Sequence, residues 1–137
     1  MKGRNYKPIM EQLAGLLDDV YMEKNCLAGG YQNFGVLAVF TAEPPGMMLE
    51  FHQSITGNRV QKALWLLNKL NSQGALGCHS VSISRNAYTE YTFRSEWCLP
   101  YAPSNRRLCA ILNRCLKEAG TGFQQIESMT MSKEVMQ

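Results

Sequence analysis

The one place in the chain where a thiol and an imidazole stand side by side is Cys78-His79, and the other histidine is His52. A cysteine becomes a nucleophile when a base within hydrogen-bond reach takes its proton. In "CHSVSIS", Cys78 to Ser84, Val81 and Ile83 alternate with serines, which is the two-residue period of a strand. Neighbouring strand residues point to opposite faces, so His79 is aimed away from Cys78. His52 is then the base left for any of five thiols, Cys26, Cys78, Cys98, Cys109 and Cys115, and no spacing selects one of them. These residues read as packed thiols.

Other chemistries have no better pattern. Cys78, His79, Cys98 and Cys109 follow no zinc spacing. Asp18 and Asp19 are adjacent, and adjacent helical residues do not face each other. The segments "AGGYQNFG", "GALG" and "GTGF" fit neither the Walker nor the dinucleotide phosphate loop, so their glycines read as turns. The chain is therefore read as a non-enzyme without catalytic residues, metal or cofactor.

Five cysteines, odd in number and without a CxxC pair, suggest neither a disulfide framework nor a zinc module. The N-terminus begins with positive charge, but Glu11, Asp18 and Asp19 interrupt any apolar core of an export signal. Both features place the expected location in a reducing cytoplasm. No membrane association is expected, because the longest apolar run is about half a dozen residues against the roughly 20 a spanning helix needs. With 137 residues, 45% of them hydrophobic and 18% charged, the chain is sized and composed for one globular core.

The elements follow from periodicity. Ile9, Leu13, Leu16, Leu17 and Val20 predict a first helix over about 8–24, with Pro8 in its opening turn. Gly29 and Gly30 punctuate, and "FGVLAVFTA", Phe34 to Ala42, reads as a central strand. Beyond Glu43-Pro44-Pro45-Gly46, Met47, Leu49 and Phe51 alternate against Met48, Glu50 and His52 as the second strand of a hairpin. Thr56-Gly57-Asn58 can cap a second helix striped by Val60, Ala63, Leu64, Leu67 and Leu70 and ended near Asn71 to Gly74. A second hairpin runs from Cys78 to Leu99, with Tyr91, Phe93, Trp97 and Leu99 on one face. Ser104 or Asn105 caps a third helix carrying Leu108, Ile111, Leu112, Cys115 and Ala119 and ending at Gly120.

The predicted fold is α+β, a single antiparallel sheet with helices packed on one face, in the order α-β-β-α-β-β-α. Residues 1–127 form one domain, and 128–137 are expected to be a flexible C-terminal tail. Trp65 and Leu66 fall outside the stripe of the second helix, which marks that helix as central or as an interface, and as the contact of a homodimer. Met47 and Met48, with Met129 and Met131, have the adaptable side chains that suit a protein-binding surface as well as a core.

Charge is unevenly distributed. Arg59, Lys62, Lys69, Arg85, Arg94, Arg106, Arg107, Arg114 and Lys117 face only Glu90 and Glu96 over the same stretch, which stands at +7 in a chain of +3. An anionic partner is implied if these residues share a face. A nucleic-acid-binding module would use Arg59, Lys62, Arg106, Arg107 and Arg114, with Tyr88, Tyr91, Phe93 and Trp97 for stacking.

"LLNKLN", Leu66 to Asn71, followed by a strand pair and then "NRRLCAILNRCLKEAGTGFQQI", Asn105 to Ile126, is similar to the second half of the type III secretion chaperone-like fold, including the sensory-transduction-regulator (YbjN-type) domains. In that family a helix ending in an N-x-L-N-like segment leads into a hairpin and a last helix closing on an apolar residue such as Phe123. The resemblance spans about residues 60–126 and departs in charge, since the family is typically acidic. It implies a noncatalytic homodimer that holds an extended segment of a client protein along its surface. The leading expectation is accordingly a chaperone, adaptor or inhibitor working through protein contacts; the alternative is the nucleic-acid-binding module. Independently of the family, Asn68 and Asn71 can bond backbone groups where the second helix stops and so set the angle at which Cys78 to Ser84 enters the sheet.

Overall fold

Met47, Leu49 and Phe51 are buried while Met48, Glu50 and His52 lie on the other face, the two-residue alternation of a sheet with one face in the core. The computed structural model describes residues 6–42, 45–55, 60–72, 76–83, 89–99 and 103–135, with the backbone alone at 45, 60–65, 83 and 129–135. Its elements are α1 (Lys7–Ala14), β1 (Asp18–Glu23), β2 (Cys26–Tyr31), β3 (Phe34–Ala42), β4 (Pro45–Ile55), α2 (Val60–Ser72), β5 (Cys78–Ile83), β6 (Thr89–Cys98) and α3 (Asn105–Val135). The strands form one antiparallel sheet in the order β1-β2-β3-β4-β6-β5. Among the described residues the fold is thus α+β with a single open sheet and three helices.

The core lies on the sheet face formed by Leu27, Val36, Ala38, Phe40, Leu49, Phe51, Tyr91 and Phe93. Rings seat the helices on it: Tyr6 stacks on Phe40 beside α1, and Phe123 of α3 meets Phe34 and Tyr91. Leu108, Ile111, Leu112, Cys115 and Ala119 are all buried, as their spacing predicts, and the Ser104 hydroxyl accepts the Arg107 N–H at 3.2 Å as the N-cap of α3. Leu66, Leu67 and Leu70 of α2 close the same core.

Two expectations are corrected. The helix placed over 8–24 stops at Ala14, its second half is strand β1, and the glycine segment read as a break is strand β2, so the described residues hold six strands where four were expected. Leu16, Leu17 and Val20 continue the helical spacing by coincidence. Leu17 and the partly buried Leu16 and Val20 pack on the core from a turn and a strand. Gly29 is a strand residue and not a break. A Cβ there would stand 3.0 Å from the Asp18 carbonyl oxygen and 3.1 Å from Leu17, so β2 needs glycine where the incoming β1 crosses it closely.

The second correction concerns α3, which was expected to end at Gly120 and runs through that glycine to Val135. Here too a glycine answers to packing. At Gly122 a Cβ would lie 2.6 Å from His79 Nδ1 and 2.7 Å from the Tyr91 hydroxyl. The helix passes so close to the sheet that only a hydrogen fits.

Candidate functional site

His79 sits on edge strand β5, opposite Phe93 of β6, with its side chain fully buried. Asn71, in the last turn of α2, holds its backbone: Oδ1 accepts the His79 N–H at 2.8 Å, and Nδ2 donates to the His79 carbonyl at 3.1 Å. The ring is held as well. Nδ1 is 2.7 Å from the Tyr91 hydroxyl and Nε2 is 3.3 Å from a Glu118 carboxylate oxygen on α3. The assignment that satisfies every group is a Tyr91 O–H donating to Nδ1 and an Nε2–H donating to Glu118. Gly122 admits this arrangement from above.

Burial pushes the His79 pKa down, and the hydrogen bond and charge of Glu118 oppose that shift. Burial, aided by the Glu118 charge, pushes Tyr91 up. The imidazole is therefore neutral, saturated with partners and closed to solvent. It ties together α2, β5, β6 and α3, and among the described residues its ring partners are Tyr91 and Glu118 and not a thiol. Its partners were not anticipated from sequence. The available signal was a pair of glycines, Gly120 and Gly122, inside a helical stripe that resumes at Phe123 and Ile126.

The residues considered for catalysis are dispersed. Cys78 is exposed on the face opposite the His79 ring. His52 lies on that outer face too, among carboxylates and a hydroxyl: Glu50 at 3.2 Å, Glu90 at 3.7 Å and Thr92 at 3.2 Å. Arg94 extends the cluster through Glu50 at 3.2 Å. Cys115 is buried, and desolvation raises its pKa, making it a packed thiol. Among the described residues no three His, Cys, Asp or Glu side chains converge as metal ligands.

The residues considered for protein contacts divide in the same way. Met47 and Leu66, only 2% and 7% exposed, are core side chains and offer a partner no surface. Met48 is half-buried on the outer face. Trp65 belongs to α2, but its side chain lies outside the described residues, as do the side chains of Met129 and Met131. The outer face has an apolar portion. Tyr21, Ala28 and Leu37 form one cross-strand row, and Cys26, Val39 and Met48 form the next. Leu37 then opposes Glu50, and Glu50 opposes Arg94, so the apolar rows pass into the His52 cluster.

Of the residues considered for anion binding, Arg106, Arg107 and Arg114 are all exposed on α3, joined by Lys117. Arg59 and Tyr88 fall outside the described residues, and Lys62 is described only as a backbone position of α2. Tyr91 and Phe93 are core residues with no face for a base to stack on, a correction to their assigned role. Trp97 is half-buried with the Arg114 guanidinium 5.8 Å above its ring.

The structure of YbjN from E. coli superposes with a TM-score of 0.65 at 6% sequence identity, covering 91% of each chain. An uncharacterized protein from Methanothermobacter thermautotrophicus gives a TM-score of 0.63 at 13% identity, over 91% of this chain and 98% of that one. The chain therefore has a YbjN-type fold. No family model matches the sequence, and no curated protein matches it either. At these identities the likeness concerns architecture alone.

Proposed function

We propose that this chain is a noncatalytic protein-binding protein, a chaperone, adaptor or inhibitor, that works as a homodimer in a reducing cytoplasm. The observation that carries this reading is the outer sheet face. The helices α1 and α3 sit on the opposite face, and the rows of Tyr21, Ala28, Leu37, Cys26, Val39 and Met48 make a continuous apolar surface bordered by the charges around His52. An apolar centre with a polar rim is the anatomy of a protein interface. Five free cysteines, two of them exposed, suit a reducing compartment. Among the described residues no helix is long and apolar enough to cross a membrane.

The test compares the proteins captured from native lysate, at high salt and after nuclease, by the wild type and by Val39→Gln/Met48→Gln. A stoichiometric partner kept by the wild type and lost by the variant supports the reading. An identical captured set from both overturns the role of this face. Dimerisation is assigned to α2. The solution mass should be twice the 15.5 kDa of one chain, and Trp65→Ala should return it to that value; a monomeric wild type removes the homodimer from the proposal.

A further inference from the structure

The solvent side of α3 has a different character. Arg106, Arg107, Arg114 and Lys117 are all exposed, and at 3.6 residues per turn they fall within an arc of about 100°. Arg106 to Lys117 spans about 17 Å along the axis at 1.5 Å per residue. None of the four forms an ion pair with a carboxylate among the described residues. The nearest acid in sequence, Glu118, is turned to His79. The strands meanwhile carry Asp18, Asp19, Glu23, Glu50, Glu90 and Glu96 against Arg94 alone. Positive charge on one layer and negative charge on the other give a field that directs an anion to α3 and away from the sheet.

We propose that this stripe of α3 binds the sugar-phosphate backbone of a nucleic acid. Chemistry chooses this occupant over an acidic protein. The other exposed side chains of the stripe are Ala110, Asn113, Thr121, Gln124, Gln125 and Ser128. It therefore lacks the apolar or aromatic centre on which protein interfaces depend. It is instead a row of cations, three of them arginines with a bidentate fork for phosphate, followed by neutral hydrogen-bonding groups that suit phosphate and sugar oxygens. Arg114 is steadied by Trp97, which lowers the entropy it loses on binding. Binding through phosphate and sugar contacts is independent of sequence.

The probe is a labelled oligonucleotide of about 20 nucleotides, single-stranded in one series and double-stranded in another, titrated by fluorescence anisotropy. Four phosphate contacts should give a slope of log K against log salt of about −3, and affinity should fall on the order of 100-fold between about 50 and 200 mM salt. Arg106→Gln/Arg114→Gln/Lys117→Gln should bring that slope close to −1 with an unchanged melting temperature. Arg106→Gln/Lys117→Gln, which leaves the Arg114–Trp97 contact in place, should be intermediate. Val39→Gln/Met48→Gln on the other layer should bind as the wild type does, so this site and the sheet face succeed or fail separately. No binding at the lowest salt, equal binding by the triple variant, or equally tight binding of polyglutamate would each overturn the proposal.

Discussion

His52 and His79 are both strand residues, and each has a hydroxyl and a carboxylate as ring partners. For His52 these are Thr92 and Glu50, with Glu90 a second carboxylate; for His79 they are Tyr91 and Glu118. What separates them is exposure, 26% of the side chain for His52 and none for His79. On the outer face water can replace any partner, so the cluster around His52 is interchangeable and contributes little to stability. In the core nothing replaces a lost partner. The same chemistry then fixes β5, β6 and α3 against one another.

The comparison would break most visibly at His79→Ala. Removing a buried ring and leaving the Tyr91 hydroxyl without its acceptor should cost about 3–5 kcal/mol in urea unfolding. pH sharpens the point. The folded state holds His79 neutral with a lowered pKa while the unfolded chain takes up a proton near pH 6.5. The unfolded state thus binds more protons as pH falls, and the stability contributed above about pH 6.5 is lost on acidification. His79→Gln should flatten that part of the stability profile; an unchanged slope would assign the acid sensitivity elsewhere.

Gly122→Ala should cost about 1–3 kcal/mol, because the new methyl meets His79 and Tyr91 at contact distances no packed core allows. The cost should shrink in the His79→Ala background, a coupling that a double-mutant cycle measures directly. Asn71→Ala should cost about 1–2 kcal/mol through two lost hydrogen bonds, with water on the exposed side of Asn71 supplying partial replacement. His52→Ala should change stability by less than about 0.5 kcal/mol. A larger effect there would mean that the outer cluster is as strongly coupled as the inner one.

Much of this was legible in the sequence. The strands β3 and β6, the buried stripe of α3 and the Ser104 cap all follow from local periodicity and capping chemistry; that Asn71 bonds backbone was legible too, but not that its partner is His79 of the incoming strand. Failures occurred where local pattern and long-range packing disagree. Leu16, Leu17 and Val20 keep helical spacing in a chain that has already turned, and the turns flanking β2 place Lys24 and Gln32 at positive φ. Each turn is two residues, Lys24-Asn25 and Gln32-Asn33, with its asparagine in second place and no glycine at the positive-φ first place that would announce a hairpin. The relay of His79, Tyr91 and Glu118 was illegible for the same reason. Its members stand 12 and 39 positions apart, and only the tertiary fold brings them together.

The bond pair from Asn71 to His79 has one more consequence. β5 is a terminal strand of the sheet, and the N–H and C=O that Asn71 takes are those a further strand would need. A single side-chain amide thus imitates the next strand and stops growth of the sheet at that margin. The opposite margin, β1, is interrupted by a register irregularity between Asp18 and Tyr21, with Asp19 at φ 52°. Both margins are therefore blunted against fibre-like propagation. A visiting segment that tried to lengthen the sheet would have to displace Asn71 or straighten β1, whereas the flat of the sheet can be approached without either change.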